Sequence, residues 1–396
     1  MFEGKTIVLG VTGSIAAYKA ADLASKLTQR GLTVDVVLTR AAMEFVSELT
    51  FRSITHRPVV TDMFEPASEF SVEHVALAER ADVVVVAPAT ANTIAKLAAG
   101  IADEMLTCTV LATRSPVVVA PAMDAGMYDN AVTQENLDKL RSRGFVIVGP
   151  GHGRLASGLV GAGRLADNDE ISGAIFEVLG RGGDLSGRRI VVSAGGTQEA
   201  IDLARYVSNR SSGKMGYAIA EAARDRGASV TLVTGPTALS SPAAIEVVHV
   251  TTAQEMQAAT RSAVVAADVL IMAAAVADYR AASVPEGKIK SESDTLAIEL
   301  VKTPDIVGEL SGDFIKVGFA AESEDLEARA VVKLKRKQLD LIVVNDISAE
   351  DSGFEVDTNR VMLIGRDGTA EPLPLMLKSE VAHKILDRVV LLLARS

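Results

Sequence analysis

Residues able to do chemistry gather at a few points along the 396-residue chain. Gly10-Val11-Thr12-Gly13-Ser14-Ile15-Ala16 stands between an apolar run and a helix-like stretch. Ser14 can cap that helix, and the amides of a helix start can hold a phosphate. On the loop alone, a plain cap and a phosphate cradle are equal readings. Ser211, Ser212 and Gly213 precede a second helix and form a natural anion site, while Ser193–Gly196 reads as a strand-end turn able to approach a nucleotide closely. Lys333 and Lys337 are four apart and so project from one helix face, which by spacing alone is a solvated surface. His74 lies in the helix-like stretch SVEHVALAER, a residue type suited to general acid–base work but, alone on a helix, more often structural. Cys108 is the single cysteine, so neither an intrachain disulfide nor a cysteine-based metal site is available. The five histidines (His56, His74, His152, His249, His383) show no metal-ligand spacing.

The elements that must position these residues open twice in the same way. Residues 5–11 (KTIVLGV) form a β-branched run, followed by Gly13, a helix ending at Gly31 and a strand over 33–38 (TVDVVL). Residues 189–193 (RIVVS) begin again, with Gly195 and Gly196, a helix over 213–226, Gly227 and a strand over 229–233 (SVTLV). Each is a strand–turn–helix–strand unit, which implies parallel pairing with right-handed crossovers. Further strands are expected near 82–87, 116–120 and 145–148, then near 246–250, 269–273, 315–319 and 341–344. Their continuous apolar character fits sheets covered by helices on both faces. The glycine-rich stretch 180–189 (GRGGDLSGRR) reads as a linker, dividing the chain into domains 1–182 and 183–396. The fold class is α/β: two doubly wound, Rossmann-like parallel-sheet domains in tandem, with sites at the carboxyl ends of the strands. Neither opening is a dinucleotide fingerprint. Thr39 and Arg40 stand where a ribose-binding acid would close the second strand, which disfavours a nicotinamide dehydrogenase.

Three stretches carry a resemblance in the first domain: GSIAAYKA (13–20), APATANTIAKLAAGIAD (87–103) and PAMDAGMY (121–128). In order and spacing they resemble the homo-oligomeric flavin-containing cysteine decarboxylases over nearly all of residues 1–180. The resemblance implies FMN, with Gly13, Ser14 and Ile15 around its phosphate and Thr39, Thr90, Ala91 and Asn92 lining the flavin. It makes His74 the active-site histidine. Decarboxylating an unactivated cysteinyl carboxylate leaves a carbanion without a sink, and oxidation of the thiol by a flavin supplies one. Two residues depart from the family pattern. Asp124 replaces an asparagine that recognises substrate, and an ionised Asp124 would repel a carboxylate unless protonated or offset. Ser157, in the flap 151–164 (GHGRLASGLVGAGR), stands where relatives place a cysteine proton donor, and a hydroxyl is a far poorer acid. His74, Asp124 or water is then expected to supply the proton. Cys108 is expected to be a buried helix residue without a role.

The second domain resembles phosphopantothenate–cysteine ligases along almost its full length. The matching stretches run from 193–216 (SAGGTQEAIDLARYVSNRSSGKMG) through AAAVADYR (273–280), GKIK (287–290), VKTPDI (301–306) and VGFAAE (317–322) to KLKRKQLDLIVVND (333–346). The resemblance implies a CTP-dependent ligase that needs Mg²⁺ to screen the triphosphate. Lys288, Lys333 and Lys337 would neutralise that triphosphate, Asp278 would contact the nucleotide, Thr303, Pro304, Asp305 and Ile306 would line its site, and Phe319 would sit near the cytosine. Asn209 would handle an acyl-cytidylate, although a loop asparagine is more often a turn former. Arg205 would meet a substrate phosphate or carboxylate. The expected reaction joins phosphopantothenate to cysteine, and the first domain then decarboxylates the product. The alternative is an active ligase whose first domain only binds flavin or serves assembly.

Bulk properties fit this reading. A net charge of −11 disfavours nucleic acid and anionic membranes as partners. The apolar runs near 83–89 and 273–277 are too short to span a bilayer, and the first strand begins too early for a signal peptide, so the cytoplasm is expected. From resemblance alone, trimeric contacts of the first domain and dimeric contacts of the second would build a homo-dodecamer.

Overall fold

The computed structural model describes residues 2, 4–63, 72–290, 296–322, 326–346 and 356–395. They form two compact units, Met1–Leu179 and Gly180–Ser396.

The first unit is built on a six-stranded parallel sheet. Its strands are β1 (Thr6–Val11), β2 (Thr33–Leu38), β3 (Val59–Val60), β4 (Val83–Ala89), β5 (Val117–Pro121) and β6 (Val146–Ile147). The spatial order is β3-β2-β1-β4-β5-β6, with the chain reversing direction of travel across the sheet between β1 and β4. β4 shows why the pairing is parallel and central. All seven of its residues are buried; Val83, Val85 and Ala87 enter one core and Val84, Val86 and Ala89 the other. A strand apolar on both faces needs helices on both sides. A short hairpin, β7 (Gly151–Arg154) and β8 (Val160–Arg164), forms the flap and is antiparallel.

The second unit repeats the plan with more strands. β9 (Arg189–Ala194) is followed by a hairpin of β10 (Gln198–Ala200) and β11 (Tyr206–Ser208). β12 (Ser229–Thr234), β13 (Glu246–His249) and β14 (Val269–Met272) come next, then a second hairpin of β15 (Tyr279–Ala281) and β16 (Leu300–Lys302). β17 (Ile315–Glu322), β18 (Leu341–Asp346), β19 (Thr358–Asn359), β20 (Val361–Gly365) and β21 (Ala370–Pro372) complete the chain's larger strands. The main sheet runs β13-β12-β9-β14-β17-β18-β20-β21. It is parallel as far as β18; β20 and β21 add antiparallel strands that the sequence reading did not include. One sheet face is covered by the helices Lys214–Asp225 and Lys378–Leu393, around a core that includes Val192, Val343 and Ile385. The helices Ala253–Ala263 and Leu326–Arg336 cover the other face. The latter helix ends at Arg336, and Lys337 at its C-terminal end still donates its amide to the Lys333 carbonyl (3.0 Å), so the two lysines lie one turn apart and line the same cavity.

Candidate active sites

In the first unit three strand ends meet. Thr12, buried just past β1, donates its hydroxyl to the Pro88 carbonyl (2.7 Å) and accepts from the Thr90 amide (3.1 Å). This ties the β1 loop to the β4 loop. Thr90 then caps the helix Ala91–Ala99 by accepting from the Thr93 amide at 3.3 Å. Thr39, buried at the end of β2, donates its amide to Val11 (3.1 Å), and its hydroxyl accepts from the Ala42 amide (3.2 Å). Gly13 packs so closely on this segment that a Cβ would lie 2.5 Å from the Ala41 Cβ. Ser14 does not cap the helix, which was one of the two readings of this loop. The helix begins at Ala17 with Ala16 at the N-cap, and the Ser14 hydroxyl instead accepts from the Ala16 amide (3.3 Å) in the turn before it. Gly13, Ser14, Ile15, Thr39, Thr90, Ala91 and Asn92 thus border one sheet edge, offering hydroxyls and backbone amides.

His74 is the second residue of the helix Glu73–Arg80 and is half-buried. Arg80 at the other end of that helix donates to Asp35 Oδ2 (2.7 Å), while Arg57 donates to Asp35 Oδ1 (2.5 Å). Asp35 is buried on β2, so two guanidinium groups compensate its carboxylate and fix the helix that carries His74.

The two departures from the family pattern turn out to be partners. The Ser157 hydroxyl donates to Asp124 Oδ2 at 2.6 Å. Asp124 N-caps the helix Ala125–Tyr128 and also accepts from the Gly126 amide (3.1 Å). The Ser157 hydroxyl first, and the Gly126 amide second, hold the Asp124 carboxyl below the usual carboxylate range. Asp124, one of the three proton sources expected, is therefore ionised at neutral pH and accepts in this arrangement. Below this contact the flap lies against the 121–125 segment: Met123 N donates to Gly163 O (2.9 Å), and a Cβ on Gly163 would lie 2.3 Å from the Met123 carbonyl. Cys108 is half-buried on the helix Met105–Ala112, and burial, then Asp103 and Glu104, push its thiol up.

The second unit holds a cavity of about 1040 Å³ at the carboxyl edge of its sheet. Asn209, Ser211–Gly213, Asp278, Thr303–Ile306, Phe319, Lys333 and Lys337 all line it. Asn209 donates its side-chain amide to Val276 O (2.9 Å), and Thr303 donates its hydroxyl to Ala277 O (2.6 Å). Gly195 and Gly213 both take positive φ, +74° and +78°, in the turns that let these loops approach one another. Lys333 donates to the Phe319 carbonyl (3.0 Å) and Lys337 to Asp305 Oδ1 (2.7 Å). Burial alone would raise the Asp305 carboxyl, but the Lys337 ammonium outweighs it and the net shift is downward. Among the described residues no cluster of three or more His, Cys, Asp or Glu could hold a metal ion.

Arg205 and Lys288 are not among the residues that line this cavity. Arg205 instead forms a two-nitrogen contact with Asp202 Oδ2 (3.0 and 2.6 Å) and donates to Ile289 O (2.9 Å). The Asp202 carboxylate also accepts from the Ile289 amide (3.1 Å). The pair therefore clamps the segment that carries the exposed Lys288, and the Arg205 guanidinium holds Asp202 far below the normal range. Lys214, Asn345, Asn359 and Lys378 line the cavity without having been singled out from sequence. Lys214 and Asn345 lie within the matching stretches 193–216 and 333–346, whereas Asn359 and Lys378 lie outside every one of them.

Comparison with known proteins covers both units. The flavoprotein family model matches residues 1–180, and the model of the DNA/pantothenate metabolism flavoprotein C-terminal domain matches residues 185–392. The coenzyme A biosynthesis bifunctional protein CoaBC of Vibrio vulnificus (strain YJ016) is 45% identical over 392 residues, 98% of this chain and 97% of the relative. The protein of the same name from Escherichia coli (strain K12) is 44% identical, covering 98% and 97%. That from Bacillus subtilis (strain 168) is 42% identical, covering 99% and 98%. Among solved structures, the C-terminal domain of a coenzyme A biosynthesis bifunctional protein CoaBC is 41% identical over 54% of this chain and 99% of that one, with a TM-score of 0.47. The FMN-dependent cysteine decarboxylase SpaF is 35% identical over 41% and 91%, with a TM-score of 0.38.

Proposed function

This chain belongs to the family of coenzyme A biosynthesis bifunctional proteins CoaBC, and from that premise we propose how its two units divide the work. It is a bifunctional phosphopantothenate–cysteine ligase and phosphopantothenoylcysteine decarboxylase. The observation that carries this is identity above 40% across both units at once.

In the second unit the nucleotide is CTP. The phosphopantothenate carboxylate attacks its α-phosphorus, pyrophosphate leaves, and the cysteine amine then displaces CMP from the acyl-cytidylate. Lys333 and Lys337 offset triphosphate charge, with Lys337 moving from Asp305 to phosphate. The Thr303–Ile306 backbone and Phe319 flank the base and ribose. Asp278, which lines the cavity, is the acid that would help hold Mg²⁺, and the ion would screen the negative charges an anionic nucleophile must approach. Asn209 orients the acyl group. Arg205 positions the Lys288 segment through Asp202. Incubation with phosphopantothenate, cysteine, Mg²⁺ and either CTP or ATP, read by mass spectrometry, tests this. The cysteine adduct and CMP are expected with CTP, and turnover with ATP alone would overturn the choice of nucleotide.

In the first unit the residues bordering the β1, β2 and β4 ends suit FMN. A phosphate can be met there by the 13–15 turn, and Thr39 and Thr90–Asn92 supply small polar walls. A bound flavin would take two electrons as the thiol-bearing carbon is oxidised, giving the electron pair left by departing carbon dioxide a sink, and would return two electrons to the product afterwards, so the overall reaction is redox-neutral. His74 moves the proton at the thiol. Asp124, ionised and engaged by Ser157, keeps the flap seated instead of gripping the substrate carboxylate. The same Asp124–Ser157 bond favours a second reading, in which this unit only binds flavin. Release of carbon dioxide from phosphopantothenoylcysteine separates the two.

For assembly, trimeric contacts in the first unit and dimeric contacts in the second remain the proposal. Exposed Phe45, Leu49, Met127 and Val160 in the first unit support it. Light scattering at several concentrations is the check, with a dodecamer expected.

A further inference from the structure

One end of the ligase cavity is not used by the nucleotide reading. The residues Leu341, Val343 and Asn345 of β18 point to the same sheet face, and the first two join the core beneath the helices Lys214–Asp225 and Lys378–Leu393. Asn345 is the last of this row before the strand ends. It is 8% exposed, lines the cavity, and its side-chain oxygen has no hydrogen-bond partner. A buried amide oxygen without a donor is costly, and here it faces a cavity.

Both helices on that face begin with a lysine that also lines the cavity, Lys214 and Lys378. Lys378 is 5% exposed and donates to Val356 O (2.6 Å). Lys214 pairs with Asp357 Oδ1 (2.7 Å), and Asp357 O accepts from the Lys378 amide (2.9 Å). Burial first, and the Lys214 charge second, lower the Lys378 ammonium to about 8. Two ammonium groups at two helix starts form a region that favours an anion. Lys333 and Lys337 follow from the helix on the opposite sheet face, whose core includes Leu334 and Val344.

We propose that Asn345, Lys378 and Lys214 form the subsite for the amino-acid substrate, binding cysteine as its zwitterion. This rests on the ligase reading above. The α-carboxylate lies between the two lysines, and the amino group donates to Asn345 Oδ1. A phosphate or pyrophosphate would satisfy the lysines but is anionic throughout and offers the amide oxygen at most one P–OH hydrogen, where an ammonium group offers three. An ammonium group alone would be repelled by the lysines. An α-amino acid meets both demands.

The experiment compares wild type with Asn345→Leu and Lys378→Met in two assays of the full chain. One is pyrophosphate release from CTP and phosphopantothenate without cysteine. The other is adduct formation at varied cysteine or cysteamine, which lacks the carboxylate. The variants should raise the KM for cysteine at least about 10-fold, as loss of a charged hydrogen bond implies, and leave pyrophosphate release within about 2-fold. Lys378→Met should also lose the wild-type preference for cysteine over cysteamine. Should a buried substitution unfold the unit, Lys214→Met supplies the same comparison at a side chain 33% exposed. Impaired pyrophosphate release with an unchanged KM for cysteine would overturn the assignment. A wild type that releases no pyrophosphate from CTP would instead overturn the ligase reading on which it rests.

Discussion

The two sheets present the same kind of edge, yet they prepare it for anions in different ways. In the first unit the edge is made of Thr12, Ser14, Thr39 and Thr90: Thr12 accepts from the Thr90 amide, and the Ser14 and Thr39 hydroxyls accept from amides in their own turns. In the second the nucleotide end carries two lysines, Lys333 and Lys337, from one flanking helix and its C-terminal end. A flavin phosphate stays bound through many turnovers, and neutral, fixed donors suit it. A triphosphate must arrive, react and leave as pyrophosphate. Lysines that exchange one partner for another, as Lys337 can exchange Asp305, suit a transient charge. The preparation of each edge thus follows how long its anion stays.

That comparison breaks most visibly at His74. His74→Asn is expected to lower carbon dioxide release about 10²- to 10⁴-fold while CTP-dependent adduct formation holds, because a lost proton-transfer group acts only in its own unit. Equal loss of both activities would mean the substitution disturbs more than one site. Next in size, Lys337→Met should raise the KM for CTP about 10- to 100-fold, the range for one charge-assisted phosphate contact, with flavin content unchanged. Pyrophosphate release against CTP concentration reads this directly. Gly13→Ala sharpens the other side. Its Cβ would meet Ala41 at 2.5 Å, so the 39–42 segment must shift, and a shift of this kind costs about 1–3 kcal/mol. The purified variant should hold less flavin per chain, measured by absorbance, while ligase activity persists.

How much of this could be read beforehand follows from where each signal resides. β4 and β14 were legible because both sheet faces are buried and the apolar run is unbroken. The edge strand β21 was not, since it is short and Glu371 and Pro372 interrupt the pattern, while β20, beside it, carries an apolar run as plain as that of β14 and was overlooked. Cavity residues next to a turn motif, such as Asn209 and Thr303, were identified in sequence through resemblance. Asn345 and Lys378 were not, because their meaning arises only when β18 and two helix starts converge. The bond from Ser157 to Asp124 spans 33 residues and was invisible for the same reason. Arg205 was read as a substrate contact because an arginine near an anion site invites it. In the structure Asp202, three residues earlier, holds its guanidinium.

The smallest expected effect concerns acid, and it again separates the units. Asp124 has a lowered carboxyl, so its bonds to Ser157 and Gly126 stabilise the flap above the unfolded carboxylate value of about 3.9 and are lost as pH falls through the lower folded value. His383, on the helix Lys378–Leu393, is lowered by burial first and by Arg226 second. Its neutral form fits the fold, and its Nδ1 is buried without a partner. The unfolded chain therefore takes up a proton first as pH drops below about 6.5, and the second unit loses stability from there downward. Between pH 7 and 5 the ligase unit should lose several degrees of melting temperature while the flavin unit stays nearly level, followed by calorimetry and by flavin fluorescence respectively. His383→Gln keeps a neutral polar side chain and removes the titration, so it should flatten the ligase slope; an unchanged slope would assign the acid sensitivity to another group. Ser157→Ala leaves the pH slope of both melting temperatures in this window nearly unchanged, because Asp124 remains ionised throughout it.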